Sequence, residues 1–169
     1  HYLEGNTDTT RTIKIGKVSE EMINNYTLVL KGHIAIATAI FPKNTKGREI
    51  DSLARKALWS EGKDYAHGTG HGVGCLLSVH EGPISISKHS KCDIKQGMVI
   101  SNEPGYYKNG EYGIRIENLE VVSKKYLKNS ENCLYVENLT IVPIELELIN
   151  KEILTIDEIN RINLYHEKV

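Results

Sequence analysis

Cysteine is scarce and unpatterned in this chain: Cys75, Cys92 and Cys133 are odd in number, widely spaced and form no CxxC pair. That argues against a disulfide framework and for a reducing compartment, each thiol being expected as a small buried hydrophobe. An excess of either charge is missing too. The 21 basic and 22 acidic residues leave a net charge of −1, so nothing electrostatic favours nucleic acid or an anionic membrane as partner. The longest apolar-looking run, residues 34–41, is too short to span a bilayer. No charged-then-apolar leader is visible and the first residue is His rather than Met, which with the thiols points to the cytoplasm. Internal repeats and low-complexity linkers are absent as well. The opening His1-Tyr-Leu-Glu-Gly reads as the inside of a strand and turn, so the chain is expected to be a piece of something longer.

What is present suffices for one domain. The 169 residues, 19.0 kDa in mass, are 40% hydrophobic and 25% charged, enough for a real core. Residues 7–15, rich in Thr and Ile, read as a strand ended by Gly16. Ser19 is placed to cap a helix running to about Thr38, with Met22, Ile23, Tyr26, Val29 and Leu30 at helical spacing and Gly32 as a weak point. A second helix is expected over residues 48–61, with Ile50, Leu53, Ala54, Ala57 and Leu58 on one face. Strands are expected at residues 76–80, 98–102, 112–123 and 134–142, with a polar turn over 124–132. Thr155-Ile-Asp-Glu158 has capping-box spacing and opens a terminal helix to about Glu167. The sum is an α+β domain, its helices on one face of a curved, mostly antiparallel sheet.

Chemistry concentrates in one stretch. His67-Gly-Thr-Gly-His71-Gly-Val-Gly74 and His80-Glu-Gly-Pro83 set three histidines among five glycines, and Asn102-Glu103-Pro104-Gly105-Tyr106-Tyr107 and Gly113-Ile-Arg115-Ile-Glu117-Asn118 follow. Glycine permits close backbone approach, and imidazole with carboxylate is the ligand set of catalytic divalent metals. Glu103 and Glu117 are 14 apart (117 − 103), separated by a tight turn at Asn109-Gly110 that could bring both to one end of the sheet. With Asp8 and His71 they give one imidazole and three carboxylates. Mn²⁺ is favoured by the hardness of that set, with Co²⁺ and Zn²⁺ as alternatives, and bridging carboxylates could hold two ions sharing a nucleophilic hydroxide. Taken singly, each signal is weak: an Asp before a strand is usually a turn residue, and a strand Glu usually faces solvent or pairs across to a residue such as Arg115. Glu81 and Glu111 read as solvated surface charges.

Jointly, these motifs, with Tyr2-Leu-Glu-Gly-Asn-Thr-Asp8-Thr-Thr-Arg-Thr12, Glu137-Asn-Leu-Thr-Ile-Val-Pro-Ile144 and Leu164-Tyr-His166, resemble the pita-bread metallopeptidases, and among them the Xaa-Pro aminopeptidases, over almost the whole chain. The resemblance implies a pita-bread (creatinase/aminopeptidase-like) fold. It implies Asp8 and Glu117 as bridging carboxylates, His71 as the histidine ligand, Glu103 as a ligand and general base, and His67 and His80 as non-ligand imidazoles that orient substrate and stabilise an oxyanion. Arg115 is equally open to a substrate-positioning or a surface role. Two divalent ions, peptides with proline at the second position and a homodimer are implied as cofactors and partners. A fifth ligand, an aspartate in an Asp-Ser-Gly motif, is expected just ahead of His1. Residues 1–169 are therefore expected to be the C-terminal portion of the catalytic domain, weakly active or inactive alone. Prolidase, methionine aminopeptidase and a non-catalytic peptide-binding module are the rival readings; the Glu-Pro-Gly-Tyr-Tyr and Gly-Ile-Arg-Ile-Glu-Asn motifs favour the proline-handling branch over the methionine one.

Overall fold

A computed structural model describes residues 2–128 and 130–169, for residues 130–132 the backbone only. His1 and Asn129 lie outside the described residues. Three helices are described, α1 (Glu20–Ala37), α2 (Gly47–Trp59) and α3 (Ile156–His166). The strands are β1 (Ile40–Pro42), β2 (Gly70–His71), β3 (Ser85–Ile86), β4 (Val99–Asn102), β5 (Gly105–Lys108), β6 (Tyr112–Arg115), β7 (Asn118–Leu127) and β8 (Ser130–Asn138). All pairings are antiparallel: a four-stranded sheet in the order β1-β8-β7-β4, and the pairs β2-β3 and β5-β6. Together they form a curled half-barrel carrying the helices, an α+β fold as the sequence predicts.

Local chemistry explains the helices. The Ser19 hydroxyl accepts the Met22 N–H at 3.2 Å, and Glu20 and Glu21 face the positive end of α1. From Asn25 onward α1 is buried on nearly every side, because it lies between α2, α3 and strands of the sheet. Gly32 is no defect there: a Cβ at this position would stand 2.1 Å from the Ala54 carbonyl oxygen, so only glycine lets α1 and α2 approach this closely. Ile50, Ala54 and Leu58 bury one side of α2, whereas Leu53, expected on the same face, is 39% exposed. Thr155 and Glu158 exchange hydrogen bonds as a capping box at the start of α3.

Two apolar clusters form the core. One gathers Tyr26, Leu30, Ile114, Ile116, Ile162 and Tyr165 between α1, α3 and the β5-β6 hairpin. The other sets Ile36, Phe41, Ile50, Ile86, Ile100 and Val122 between α1, α2 and the four-stranded sheet.

Several expectations are corrected. Residues 7–15 form one isolated bridge, Thr10↔Glu117, instead of a strand; the Thr12 hydroxyl, donating to Arg115 O and accepting its N–H, takes the place of a ladder. Residues 76–80 are a bend with Leu77 at φ 54°, exposed and unpaired to any strand, while the actual strands flank it at β2 and β3. The 112–123 strand is broken at Ile116 and Glu117, where the chain passes from the small hairpin to the main sheet. Most of the 124–132 turn is strand, since β7 runs to Leu127 and β8 starts at Ser130, the long side chains of Lys124 and Lys125 being compatible with an exposed ladder. β8 ends at Asn138, after which residues 139–143 peel away. The thiols are not core residues: Cys75 is exposed, and Cys92 and Cys133 are half-buried.

Candidate metal centre

Four sequence-distant groups meet at the mouth of the curled sheet. His71 lies on β2, Glu103 directly follows β4, Glu117 sits between β6 and β7, and Asp8 belongs to the extended segment bridged to Glu117. One ligand atom from each of His71, Glu103 and Glu117 lies within 4.8 Å of the others, and the same holds for Asp8, His71 and His80. His71 Nε2 stands 3.2 Å from Glu103 Oε1 and 3.4 Å from Asp8 Oδ2. It is buried and aligned for a hydrogen bond with neither. On the other side of the ring, Nδ1 lies 2.9 Å from the Gly72 carbonyl, to which only an N–H can donate. In the neutral ring with that tautomer, the one a metal would select, the Nε2 lone pair faces the carboxylates.

Backbone and hydroxyl contacts hold the group in place. Ser101 Oγ accepts the His71 N–H and donates to Glu103 Oε1, both at 2.9 Å. The Glu103 N–H donates to Thr69 O at 2.8 Å. The Glu117 N–H donates to Thr10 O at 3.0 Å, and the Thr10 hydroxyl donates to the Glu117 carboxylate.

The electrostatics are those of a site short of positive charge. Burial, together with the nearby Glu103 and Asp8 carboxylates, pushes Glu117 up to about 7, against the pull of the Thr10 hydroxyl. Burial also works against ionisation of Glu103, but the His71 ring beside it, the Ser101 hydrogen bond and the Arg115 charge hold its carboxyl below the ordinary value. At His71 burial favours the neutral ring, and Glu103 and Asp8 outweigh it, so its pKa is raised. An orphaned buried nitrogen facing three carboxylates is costly by itself, and a hard divalent cation is what such donors fit.

Beside the cluster opens a cleft of about 470 Å³ lined by His67, His71, His80, Ser85, Glu103 and Arg115, among others. His80 is exposed at its edge and meets the His71 ring edge-on, centroids 4.2 Å apart. His67 is set by a directional chain. Arg115 Nε donates to Tyr107 Oη at 2.9 Å, leaving the tyrosyl proton for His67 Nε2 at 2.8 Å, and His67 Nδ1–H reaches Gly68 O at 2.7 Å. Burial lowers the pKa of His67, which favours the neutral ring this chain requires. Arg115 Nη1 also lies 3.7 Å from Glu103 Oε2, so it faces the site. Glu81 and Glu111 are exposed, as expected of solvated charges. A larger groove of about 520 Å³ between β8 and α3 is lined by Arg161, Leu164 and Tyr165 among others; it is separate from the carboxylate–imidazole cluster.

The loop that carries His67 is fastened to α2 by Arg55. This guanidinium, 1% exposed, spends its five N–H groups on Asp51 Oδ2 (2.8 Å), Asp51 Oδ1 (3.1 Å), Asp64 Oδ1 (2.7 Å), Tyr65 O (2.7 Å) and His67 O (2.8 Å). The Tyr65 ring covers it, 4.0 Å from centroid to Cζ. Tyr107, Ser101, Thr10 and Arg55 all escape a reading of the sequence alone. The i, i+2 spacing of Ser101 and Glu103 at the end of an extended run was the available signal for the hydroxyl that holds Glu103.

Comparison with known proteins agrees with this geometry. The profile of metallopeptidase family M24 matches residues 1–124, and that of the C-terminal region of peptidase M24 matches residues 132–169. The chain is 48% identical to Xaa-Pro aminopeptidase 1 of Dictyostelium discoideum over 99% of its own length and 27% of the relative's. It superposes with a TM-score of 0.95 and 44% identity on the X-prolyl aminopeptidase of Caenorhabditis elegans, a cytosolic enzyme with a di-nuclear active site, covering 99% of this chain and 28% of that one. The Xaa-Pro dipeptidase of Bacillus anthracis is more distant, with a TM-score of 0.69 and 32% identity over 83% of this chain and 36% of the other. The chain thus spans little more than a quarter of the length of the first two of these relatives. With its fold and both family profiles in agreement, the chain belongs to metallopeptidase family M24.

Proposed function

We propose that this chain supplies most of the active site of an Xaa-Pro aminopeptidase, which cuts the peptide bond between a first residue and a following proline. The observation that carries the proposal is the convergence of Asp8, His71, Glu103 and Glu117, with His71 Nε2 facing the carboxylates. We assign all four as the side chains that would hold two divalent cations, the resemblance implying a shared role for Asp8 and Glu117. Mn²⁺ suits three hard carboxylates best, with Co²⁺ and Zn²⁺ as alternatives. When bound, the cations would polarise the scissile carbonyl and acidify a water.

The remaining steps fall to the chain's own side chains. Glu103 is ionised and beside the cleft, placed to take a proton from the attacking water and pass it to the departing prolyl nitrogen. Both ring nitrogens of His67 already hold partners, so its part is to shape the cleft and receive substrate. His80 is the better donor to the carbonyl oxygen as negative charge develops there. Arg115, held by Tyr107, orients Glu103 and the bound peptide.

Aminopeptidase is favoured over prolidase by the fuller coverage and higher identity of the aminopeptidase relatives. A purely peptide-binding module is disfavoured by the four expected ligand types that stand together here. We further propose that residues 1–169 form the C-terminal portion of the catalytic domain, consistent with the C-terminal family profile over residues 132–169. A fifth aspartate would come from outside this sequence, so the chain alone should be weakly active. A cytosolic homodimer completes the reading; among the described residues no helix is long and apolar enough to cross a membrane.

The test is cleavage of Xaa-Pro-Xaa, Xaa-Pro and Xaa-Ala-Xaa peptides with and without Mn²⁺, by the isolated chain and by the full-length protein proposed to carry it. Metal-stimulated release of the first residue by the longer protein, from the Xaa-Pro-Xaa peptide only, is expected. Brisk cleavage by the 169-residue chain would refute the missing-ligand proposal, and no cleavage by either would refute the peptidase reading.

A further inference from the structure

Among the described residues, the segment bearing Asp8 has a single backbone bridge to the rest of the fold, Thr10↔Glu117. Arg11 does what a ladder would otherwise do. Its Nη1 donates to Thr10 O (2.9 Å) and Glu117 O (2.7 Å), and its Nε to Pro143 O (2.8 Å). Its Nη2 lies within reach of Asn118 Oδ1 (2.7 Å), Val142 O (2.8 Å) and Tyr165 Oη (2.9 Å). These acceptors come from the entrance to β7, from the stretch that peels off after β8, and from α3.

Tyr165 closes the knot. Its ring is buried in the first apolar cluster with Ile162, so it cannot follow a shifting partner. Its hydroxyl donates to Val142 O at 2.7 Å and accepts the Val142 N–H at 3.2 Å and an Arg11 N–H at 2.9 Å. The planar guanidinium fork fixes direction as well as distance, which an ammonium would not.

We propose that Arg11 and Tyr165 are positioning residues through which α3, outside the site, sets its affinity for cations by holding the Asp8 segment against Glu117. The inference rests on the metal-binding reading of Asp8 and Glu117. Neither residue touches the reacting atoms; both act through the Glu117 backbone and the bridge to Thr10.

Three variants, made in the full-length protein proposed to carry this chain, separate this from general destabilisation. Tyr165→Phe keeps the buried ring and removes its oxygen. Arg11→Lys keeps the charge and loses the fork. Ile162→Val loosens α3 without touching the hydrogen bonds. Free Mn²⁺ is followed by electron paramagnetic resonance during titration, and amide exchange at Glu117 is measured without metal. Tyr165→Phe and Arg11→Lys are expected to weaken Mn²⁺ binding about tenfold, the usual effect of losing a partner that orients a ligand, and to speed Glu117 exchange. Ile162→Val is expected to lower the melting temperature and change neither. A parent chain that binds Mn²⁺ no more weakly or tightly than the first two variants, or an equal loss in all three, overturns the role of α3. A parent chain that takes up no Mn²⁺ overturns the metal reading itself, and the Glu117 exchange rates then report whether the strut exists as a fold element alone.

Discussion

Arg55 and Asp51, one turn apart on α2 and both almost wholly buried, face each other through two parallel hydrogen bonds, Nε to Oδ2 at 2.8 Å and Nη2 to Oδ1 at 3.1 Å. Desolvation opposes the guanidinium's charge, and its hydrogen bonds to the Asp51 and Asp64 carboxylates more than restore it. Arg55→Met would strand the Asp51 carboxylate in the interior and release the His67 carbonyl. Loss of one partner from a buried pair costs about 3–5 kcal/mol, so the urea midpoint should fall steeply. A change below about 1 kcal/mol, the range of exposed pairs, would show that the clamp is not structural.

Gly32 reverses the ordinary rule for a helix interior. Helix propensity alone predicts that Gly32→Ala stabilises by about 1 kcal/mol. The new Cβ would instead stand 2.1 Å from the Ala54 carbonyl oxygen, a backbone atom that cannot swing aside. Overpacking of this kind costs about 1–3 kcal/mol. Thermal unfolding decides the sign, and a raised melting temperature would mean that α1 and α2 can separate freely.

Glu120 makes stability depend on pH. It is wholly buried, and burial pushes its carboxyl from the ordinary 4.5 up to about 7, against Asn102 and Arg161, which pull it down. Asn102 also hydrogen-bonds the backbone of the buried His33. Between these two pH values the folded chain keeps a proton that the unfolded chain has lost, so stability falls as pH rises through that window. Glu120→Gln has no such proton. Relative to the parent it should gain on the order of 3 kcal/mol between about pH 4 and pH 8 in urea unfolding. A difference that stays flat with pH would place Glu120 in contact with water or a cation.

Zn²⁺, which is diamagnetic, allows the His71 assignment to be watched directly. In nitrogen-15 spectra the Nε2 signal of His71 should move on Zn²⁺ addition while its Nδ1 stays protonated against Gly72 O. His33 should not respond, because burial holds it neutral with a pKa of about 3 and its Nδ1 rests 3.2 Å from Asn102 O. Movement of Nδ1 instead would mean that the ring flips on binding.

The helices were readable from the chain because their determinants are local: Ser19 three residues before Met22, Thr155 three before Glu158, apolar residues at helical spacing. Glu103 and Glu117 were readable as a pair because the β5-β6 hairpin turns at Asn109-Gly110, and that turn is also local. Strand limits failed where partners are remote. Nothing within residues 7–15 shows that a Thr12 hydroxyl and an Arg11 guanidinium replace a ladder. Residues 76–80 have the right composition for a strand, yet the chain bends there, with β2 and β3 pairing around it.

Sequence by itself determined which donors this protein owns, since an imidazole or a carboxylate is a property of one side chain, and Asp8, His71, Glu103 and Glu117 carry theirs wherever they fold. Tertiary structure alone decided that those donors meet, that His71 turns its Nε2 inward, and that the Glu117 carboxyl rises to about 7. Separation and desolvation belong to pairs of groups, and here the pairs lie as far apart along the chain as Thr10 and Glu117, 107 residues.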